Sequence, residues 1–505
     1  MNARVSPLRR FATHASHYSL GSLLTTLAGF VSFPLLTRVF SVADYGVMSV
    51  VGVSVTIAVA VGKLGVNQSV LRYHSEISAG KRPFTLGQLS STTLLGMLGT
   101  GVLGAALVFA GSWVASARTI GDPRVRQLLA IMCVAIVAQT TGSALVNFTR
   151  AEMRTKLFMA YQVGKRYVGL ALILGAVFLV ARSLVAFYVA TALGETIAVL
   201  ALGLVLLRRG GIPRPTPGQF SLPLYKEMLR YGIPMLVGNE LAGIVLAVGD
   251  RYVIRGLIGD EPLGLYSAAY NLCEYVQLVL LSSVGQAIMP LYLETWDQRG
   301  REATIALIDD SLRSYVLLGA PVIAGVAAVG PDLLPALASS KYASAASVLP
   351  WVIAGMVVAE TNTFVGAGLF IQRRTRRVMA IILSCAALNI ALNFVLIPRV
   401  GIVGSAVATL VAYAATSVLF AWASRSLLPV TWPWRTVARA GAVSLAMWAA
   451  VSGLWPGHHL LTVGVRAVAG VAIYAALMWA IDPDARMLLD RVLRRAGGAR
   501  AQSAV

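Results

Sequence analysis

Apolar runs close to 20 residues long recur along almost the whole chain, and about 20 residues is what a helix needs to cross the hydrocarbon core of a bilayer. Lipid offers peptide groups no hydrogen-bond partner, so each run must satisfy its own backbone as an α-helix. The alternating pattern of an outer-membrane barrel is absent. Spans are expected at roughly 17–38, 45–66, 89–112, 126–148, 157–180, 184–207, 231–250, 264–290, 312–331, 347–371, 378–398, 401–424, 436–455 and 460–481. The expected fold class is an all-α polytopic membrane protein with about fourteen transmembrane helices. Only 12% of the residues are charged and the mean hydropathy is +0.75, too apolar for the surface of a soluble chain of this length.

A net charge of +21 would suggest nucleic acid if the charges formed a stripe. They do not. With the N-terminus placed in the cytoplasm, Arg4, Arg9, Arg10, Arg72, Lys81, Arg82, Arg150, Arg154, Arg208, Arg209, Arg214, the run from Arg373 to Arg377 and five tail arginines all fall on the cytoplasmic side. This is the positive-inside bias, and an even number of spans returns the C-terminus to the same side. Topology accounts for the charge, and no nucleic-acid partner is expected. The basic N-terminal stretch is read as leading into a retained first span rather than a cleaved signal peptide. Cys133, Cys273 and Cys385 each lie within an apolar run, with no disulfide or metal-ligand spacing.

The chain carries an internal duplication. Gly46-Val-Met-Ser49 matches Gly264-Leu-Tyr-Ser267, 218 positions later, and Gln68 and Glu76 match Gln286 and Glu294 at the same offset. Further on, RTKLFMA at 154–160 matches RTRRVMA at 374–380, an offset of 220. Each repeat holds six spans, an even number, so both copies share one orientation and an axis along the membrane normal should relate them. The expected organisation is a six-helix lobe at 1–207, a Gly/Pro/Arg linker at 208–225, a second six-helix lobe at 226–425, an appended helix pair at 426–482 flanked by Trp432, Trp434 and Trp455, and a basic cytoplasmic tail at 483–505.

FPLLTRVFSVADYG at the end of the first span, LRYGIPML opening the seventh, and GDRYVIRGLIGDEPLGLYSAAYNL across the seventh and eighth resemble the polysaccharide-export flippases of the MATE-like superfamily. The similarity runs over roughly 15–425 and has no short catalytic signature. It implies a two-lobed, V-shaped, alternating-access transporter of the bacterial inner membrane. The cargo it implies is an undecaprenyl-pyrophosphate-linked oligosaccharide, with polysaccharide polymerase and glycosyltransferases of the same pathway as partners beside membrane lipid. Relatives of the same fold export drugs or flip the peptidoglycan precursor, and both remain alternatives. An enzyme is not expected, since no large loop or His/Asp/Glu cluster is present.

Ionisable residues inside spans are the candidate site. Each costs about 2.5–3.5 kcal/mol at a helix centre on insertion scales, so it should face protein or water. Glu195, Glu274 and Glu360 fall near mid-depth of their spans and Glu240 about two turns in; these four are the expected ion-coupling residues. Lys165 and Arg166 lie about two turns into the fifth span, Lys63 near the end of the second, and Arg38, Arg251 and Arg255 at outer ends; these six are the expected contacts for an anionic headgroup. A structural pair between Lys165 and Glu195 on the next helix is the competing reading. At the repeat offsets Lys165 and Arg166 correspond to Cys385 and Ala386, and Glu274 to Thr56, so deep cations appear in the first lobe while deep carboxylates concentrate in the second. No cofactor is expected beyond a coupling proton or Na+. Gly99-Thr-Gly101-Val-Leu-Gly104 fits a dinucleotide fingerprint literally, but it lies inside a span, where small residues serve close helix packing.

Overall fold

Every regular element among the described residues is helical, as the apolar runs require. This computed structural model describes residues 7–114, 122–210, 212–454, 459–482 and 486. Arg4, Trp455 and the basic tail, Arg486 apart, lie outside the described residues. The chain divides into two compact units. One extends to Gly264 and takes in Ile382–Ile390; the other holds Leu265–Ile381 and the chain from Ala391 onward.

The first unit contains α1 (Pro7–Val39), α2 (Val42–Lys63), α3 (Val66–Ser78), α4 (Leu86–Val114), α5 (Arg124–Ala151), α6 (Thr155–Gly175) and α7 (Leu184–Arg208). It then takes in α8 (Leu222–Met235), α9 (Ala242–Val248) and α10 (Asp250–Ile258). Helix α5 packs against α2, α4 and α7, and α1 lies on α6. Phe40, Val47, Val51, Leu128, Ile136 and Tyr188 form one core; Val70, Tyr73, Met97, Phe148, Leu202 and Met228 form another. The glycine-rich stretch of α4 allows the close packing. A side-chain carbon at Gly101 would lie 3.2 Å from Thr140, and one at Gly104 3.7 Å from the Cα of Gly62.

Local chemistry sets the ends of α2. Ser41 caps its first turn, accepting from the Asp44 amide at 3.0 Å while Asp44 accepts from the Ser41 amide at 3.3 Å. Leu64 and Gly65 then take φ of 47° and 69°, which ends α2 and turns the chain into the amphipathic α3. Pro234 removes a backbone donor within α8, and just beyond it the helix widens into a π turn at Leu236–Leu241 that carries Glu240.

The second unit contains most of α11 (Asp260–Leu280), then α12 (Ser282–Leu337), a 3-10 segment at Ser340–Val348, α13 (Leu349–Glu360), α14 (Asn362–Val365), α15 (Ala367–Ile371), α16 (Thr375–Ser424) apart from Ile382–Ile390, α17 (Trp434–Ser452) and α18 (Leu460–Ile481). Helices α17 and α18 pack on α12 through Met447, Val451 and Val463 against Ala324, Ala328 and Val329. Leu179 and Leu461 are 86% and 81% exposed, as expected of faces turned to lipid rather than water.

Among the described residues nine helices are long and apolar enough to cross a membrane, against the fourteen spans expected. The physical reasons are local. The 56-residue α12 leaves helical geometry at Gly300, and the 50-residue α16 at Val400 and Gly401, so each run holds two helical stretches. The segment expected at 231–250 is broken into α8, the π turn and α9.

One of the matched motif pairs also shares its local geometry. Met153 and Arg373 both take left-handed φ, 56° and 54°, just before the two copies of the RT–MA motif. In one copy the amides of Met153 and Arg154 donate to the carbonyls of Arg150 and Thr149; in the other those of Arg373 and Arg374 donate to Phe370 and Leu369. The hydrogen bonds match at the offset of 220 read from the sequence.

Candidate functional site

Helix α2 carries one wall of an open cavity of about 360 Å3 in the first unit, lined on its other sides by α4, α5 and α10. Most of the lining is apolar, as on Val50, Ile57, Leu107 and Leu129. Its polar groups come from Ser54, Ser112, Tyr252 and Arg255. The hydroxyls of Ser54 and Tyr252 share a hydrogen bond at 2.7 Å, which fixes the phenol ring at the cavity edge. Arg255 is the one charged lining residue among those described. Its side chain is only 3% exposed. Its Nε lies 2.8 Å from Oδ1 of Asp260 and its Nη2 donates to Oδ2 at 3.4 Å, while Nη1 is buried without a hydrogen-bond partner. The Nε contact is an ionic approach rather than a directed hydrogen bond, since both atoms also lack an aligned partner. A buried guanidinium with an unused donor beside apolar walls is suited to an anionic amphiphile.

The remaining sequence candidates fall into pairs and isolated groups. Lys63 Nζ donates to Glu240 Oε1 at 2.9 Å, joining α2 to the π turn, with side chains 19% and 20% exposed. Lys165 Nζ lies 2.7 Å from Glu195 Oε2, joining α6 to α7. Arg166, the next residue, is exposed and makes no ion pair among the described residues. Arg38 is exposed and donates to the Pro34 carbonyl at 3.2 Å. Arg251 is half-buried on α10. In the second unit Gln277 donates to Glu360 Oε1 at 2.9 Å, and Glu274 is exposed on α11. Among the described residues no group of three or more His, Cys, Asp or Glu could hold a metal ion.

Ion pairs also close the ends of the first unit. Arg124 reaches both Asp44, at 2.8 Å, and Asp122, at 2.6 Å. Its hydrogen bonds hold the Asp122 carboxyl below its ordinary value. At the opposite end of α2, Arg82 binds Glu76 at 2.6 Å and also pairs with Glu227 of α8.

Sequence reasoning missed Tyr252 and Ser54, which carry no charge to flag them. It also missed Arg466, which the insertion-cost argument applied to the glutamates should have found. Arg466 sits within the apolar run of α18, 3% exposed, paired with Asp332 and donating to the carbonyls of Ala328 and Val451 at 3.2 Å.

A family model described as polysaccharide biosynthesis protein matches residues 12–296, more than half of the chain. The chain belongs to that family. It is 23% identical over 347 residues to the succinoglycan biosynthesis transport protein ExoT of Rhizobium meliloti, a match covering 68% of this chain and 64% of the relative. It thus spans just under two thirds of that relative's length. It is 20% identical over 369 residues to a probable low-salt glycan biosynthesis flippase of Haloferax volcanii, covering 72% of this chain and 75% of the relative. Among solved structures, the lipid II flippase MurJ in an inward closed conformation superposes with a TM-score of 0.76 at 12% identity, over 92% of this chain and 99% of that one. An inward-facing multidrug resistance transporter of the MATE family superposes with a TM-score of 0.64 at 12% identity, over 80% and 94%. At those identities the two structures speak for the fold, which is that of the MurJ- and MATE-like membrane proteins.

Proposed function

We propose that this chain is a flippase that moves an undecaprenyl-pyrophosphate-linked oligosaccharide, a repeat unit of O-antigen, exopolysaccharide or capsule, across the bacterial inner membrane by alternating access. Membership of the polysaccharide biosynthesis family carries the reading, and the names of the two glycan-pathway relatives agree with it. The cavity in the first unit supports the choice of cargo. Its apolar wall suits an isoprenoid chain, and Arg255 with its unused Nη1 suits a phosphate oxygen. A multidrug antiporter is the weaker reading, because the charged group lining that cavity is a cation and would repel the organic cations such exporters carry.

In this reading the topology has fourteen spans, with both termini and the 208–225 linker in the cytoplasm. Glycosyltransferases supply the cargo and a polymerase consumes it. Coupling to a proton or Na+ falls to Glu240 and Glu360, since each carboxylate sits in a span with one hydrogen-bonded partner. The test is glycan export in cells lacking the natural copy, complemented with the parent chain or with Arg255→Gln. The variant should accumulate normally and export at least about tenfold less, the usual effect of losing one charge-assisted contact. Export unchanged at normal protein level removes Arg255 from the cargo site.

A further inference from the structure

Both ends of α2 press onto the stretch between Leu222 and Gly264 through glycine. At the Asp44 end a side-chain carbon on Gly46 would collide with the Asp260 carbonyl, and one on Gly264 with the Val42 carbonyl, each closer than 3.0 Å. Val42 lies four residues before Gly46, as Asp260 does before Gly264, and 218 positions separate the members of each pair. The contact is therefore reciprocal: each repeat presents the same glycine to the same carbonyl of the other. Only glycine lets two helix backbones approach this closely, with Cα–H groups facing carbonyl oxygens. Arg124 on Asp44 and Arg255 on Asp260 hold the two helix ends beside it, both at 2.8 Å.

At the Lys63 end, a side-chain carbon on Gly232 would meet the Gly65 carbonyl oxygen at 2.6 Å and that of Leu64 at 2.9 Å. Around it, Ser69 Oγ donates to the Met228 carbonyl at 3.0 Å, Arg82 pairs with Glu227, and Lys63 pairs with Glu240. At the repeat offset Gly65 corresponds to Ser283 and Gly232 to His14, so this second contact has no twin in the sequence. The two contacts are about 28 Å apart along α2 at a helical rise of roughly 1.5 Å per residue, close to the hydrocarbon thickness of a bilayer. Val50, Ser54 and Val61, which line the cavity, fall between them.

We propose that these two glycine contacts are the seals of the transport path, the reciprocal Gly46–Gly264 contact closing the cavity from outside and the Gly65–Gly232 contact closing it from the cytoplasm. The proposal rests on the alternating-access reading above. Both seals are shut in this structure. Where the backbones meet no side chains interlock, so such a contact can open and reclose, whereas one added methyl group holds it ajar; opening the cytoplasmic contact also breaks the Lys63–Glu240, Arg82–Glu227 and Ser69–Met228 contacts around it.

The test uses the full-length chain in membrane vesicles, with its three cysteines replaced and Ile57→Cys in the cavity wall as reporter. A membrane-impermeant maleimide is added from one side at a time. Gly46→Ala and Gly264→Ala should each raise labelling from outside by about tenfold or more, and Gly232→Ala from inside. Gly52→Ala, where a side-chain carbon meets nothing within 4 Å, should change neither. Labelling unchanged in the seal variants, or raised from the same side by all three, overturns the proposal. Glycan export is measured separately, without the reporter. Sided labelling in a chain that exports no glycan leaves the seals standing and removes the cargo reading; export with unaltered labelling removes the seals alone. If the alanine variants do not accumulate, a cleavable bis-maleimide between Ala43→Cys and Glu261→Cys tethers the same helix ends without added bulk. The tether should stop export and its cleavage restore it; export with the tether in place overturns the proposal.

Discussion

Lys165 and Glu195 provide the sharpest test of how charge is used inside this membrane protein. The ammonium lies 2.7 Å from the carboxylate, with side chains 29% and 16% exposed. At an effective dielectric of 20, unit charges about 3–4 Å apart attract by roughly 4–6 kcal/mol, and the lost solvation of both groups offsets much of that. Removing one partner of a fully buried pair costs about 3–5 kcal/mol, because the other charge stays behind unpaired. Partial exposure reduces this to about 2–3 kcal/mol for Lys165→Gln or Glu195→Gln alone. The double variant leaves no orphaned charge and should recover about 1–2 kcal/mol of that loss as coupling. Equilibrium unfolding by SDS titration in mixed micelles measures all four corners of the cycle, alongside protein level and glycan export in cells. A coupling below about 0.5 kcal/mol would refute the structural pairing. So would Lys165→Gln stopping export at normal stability, which would return Lys165 to the cargo site.

Three further outcomes are expected. Arg466→Met should destabilise the second unit by about 3–5 kcal/mol and lower protein level, while Arg466→Met with Asp332→Leu should restore most of it, read by the same unfolding titration. Asp122, whose pKa Arg124 depresses, contributes stability that is fully present above its unfolded value near 4 and is lost as pH falls through the lower folded value. The melting temperature of the parent chain should therefore exceed that of Asp122→Asn at neutral pH and converge with it below about pH 4; a constant gap would refute the linkage. Finally, Thr216→Cys in the linker should react with an impermeant thiol reagent only from the cytoplasmic side, and labelling from outside would overturn the topology.

Much of this protein was legible in one dimension. A bilayer imposes a length on every span and lipid forces each to be helical, so hydropathy alone indicated an all-helical polytopic membrane fold, while the expected count of fourteen stands against nine candidate spans among the described residues. Matched motifs at offsets of 218 and 220 were legible too, and the paired left-handed turns at Met153 and Arg373 repeat the second of them in geometry. Where charges go was legible only for Lys165, whose pairing with Glu195 on the next helix the spacing offered as one reading. Insertion cost says that Lys63 and Arg466 also need partners, but those partners are Glu240 and Asp332, far off in sequence. Which carboxylate meets which cation depends on the rotation and depth of neighbouring helices, and those are set by packing across many residues at once. The same holds for glycine. The sequence showed that Gly46 and Gly264 are copies of one residue, while only the tertiary structure decided that each lies against the other's carbonyl, because backbone contact between helices is a property of how they cross and not of the runs that form them.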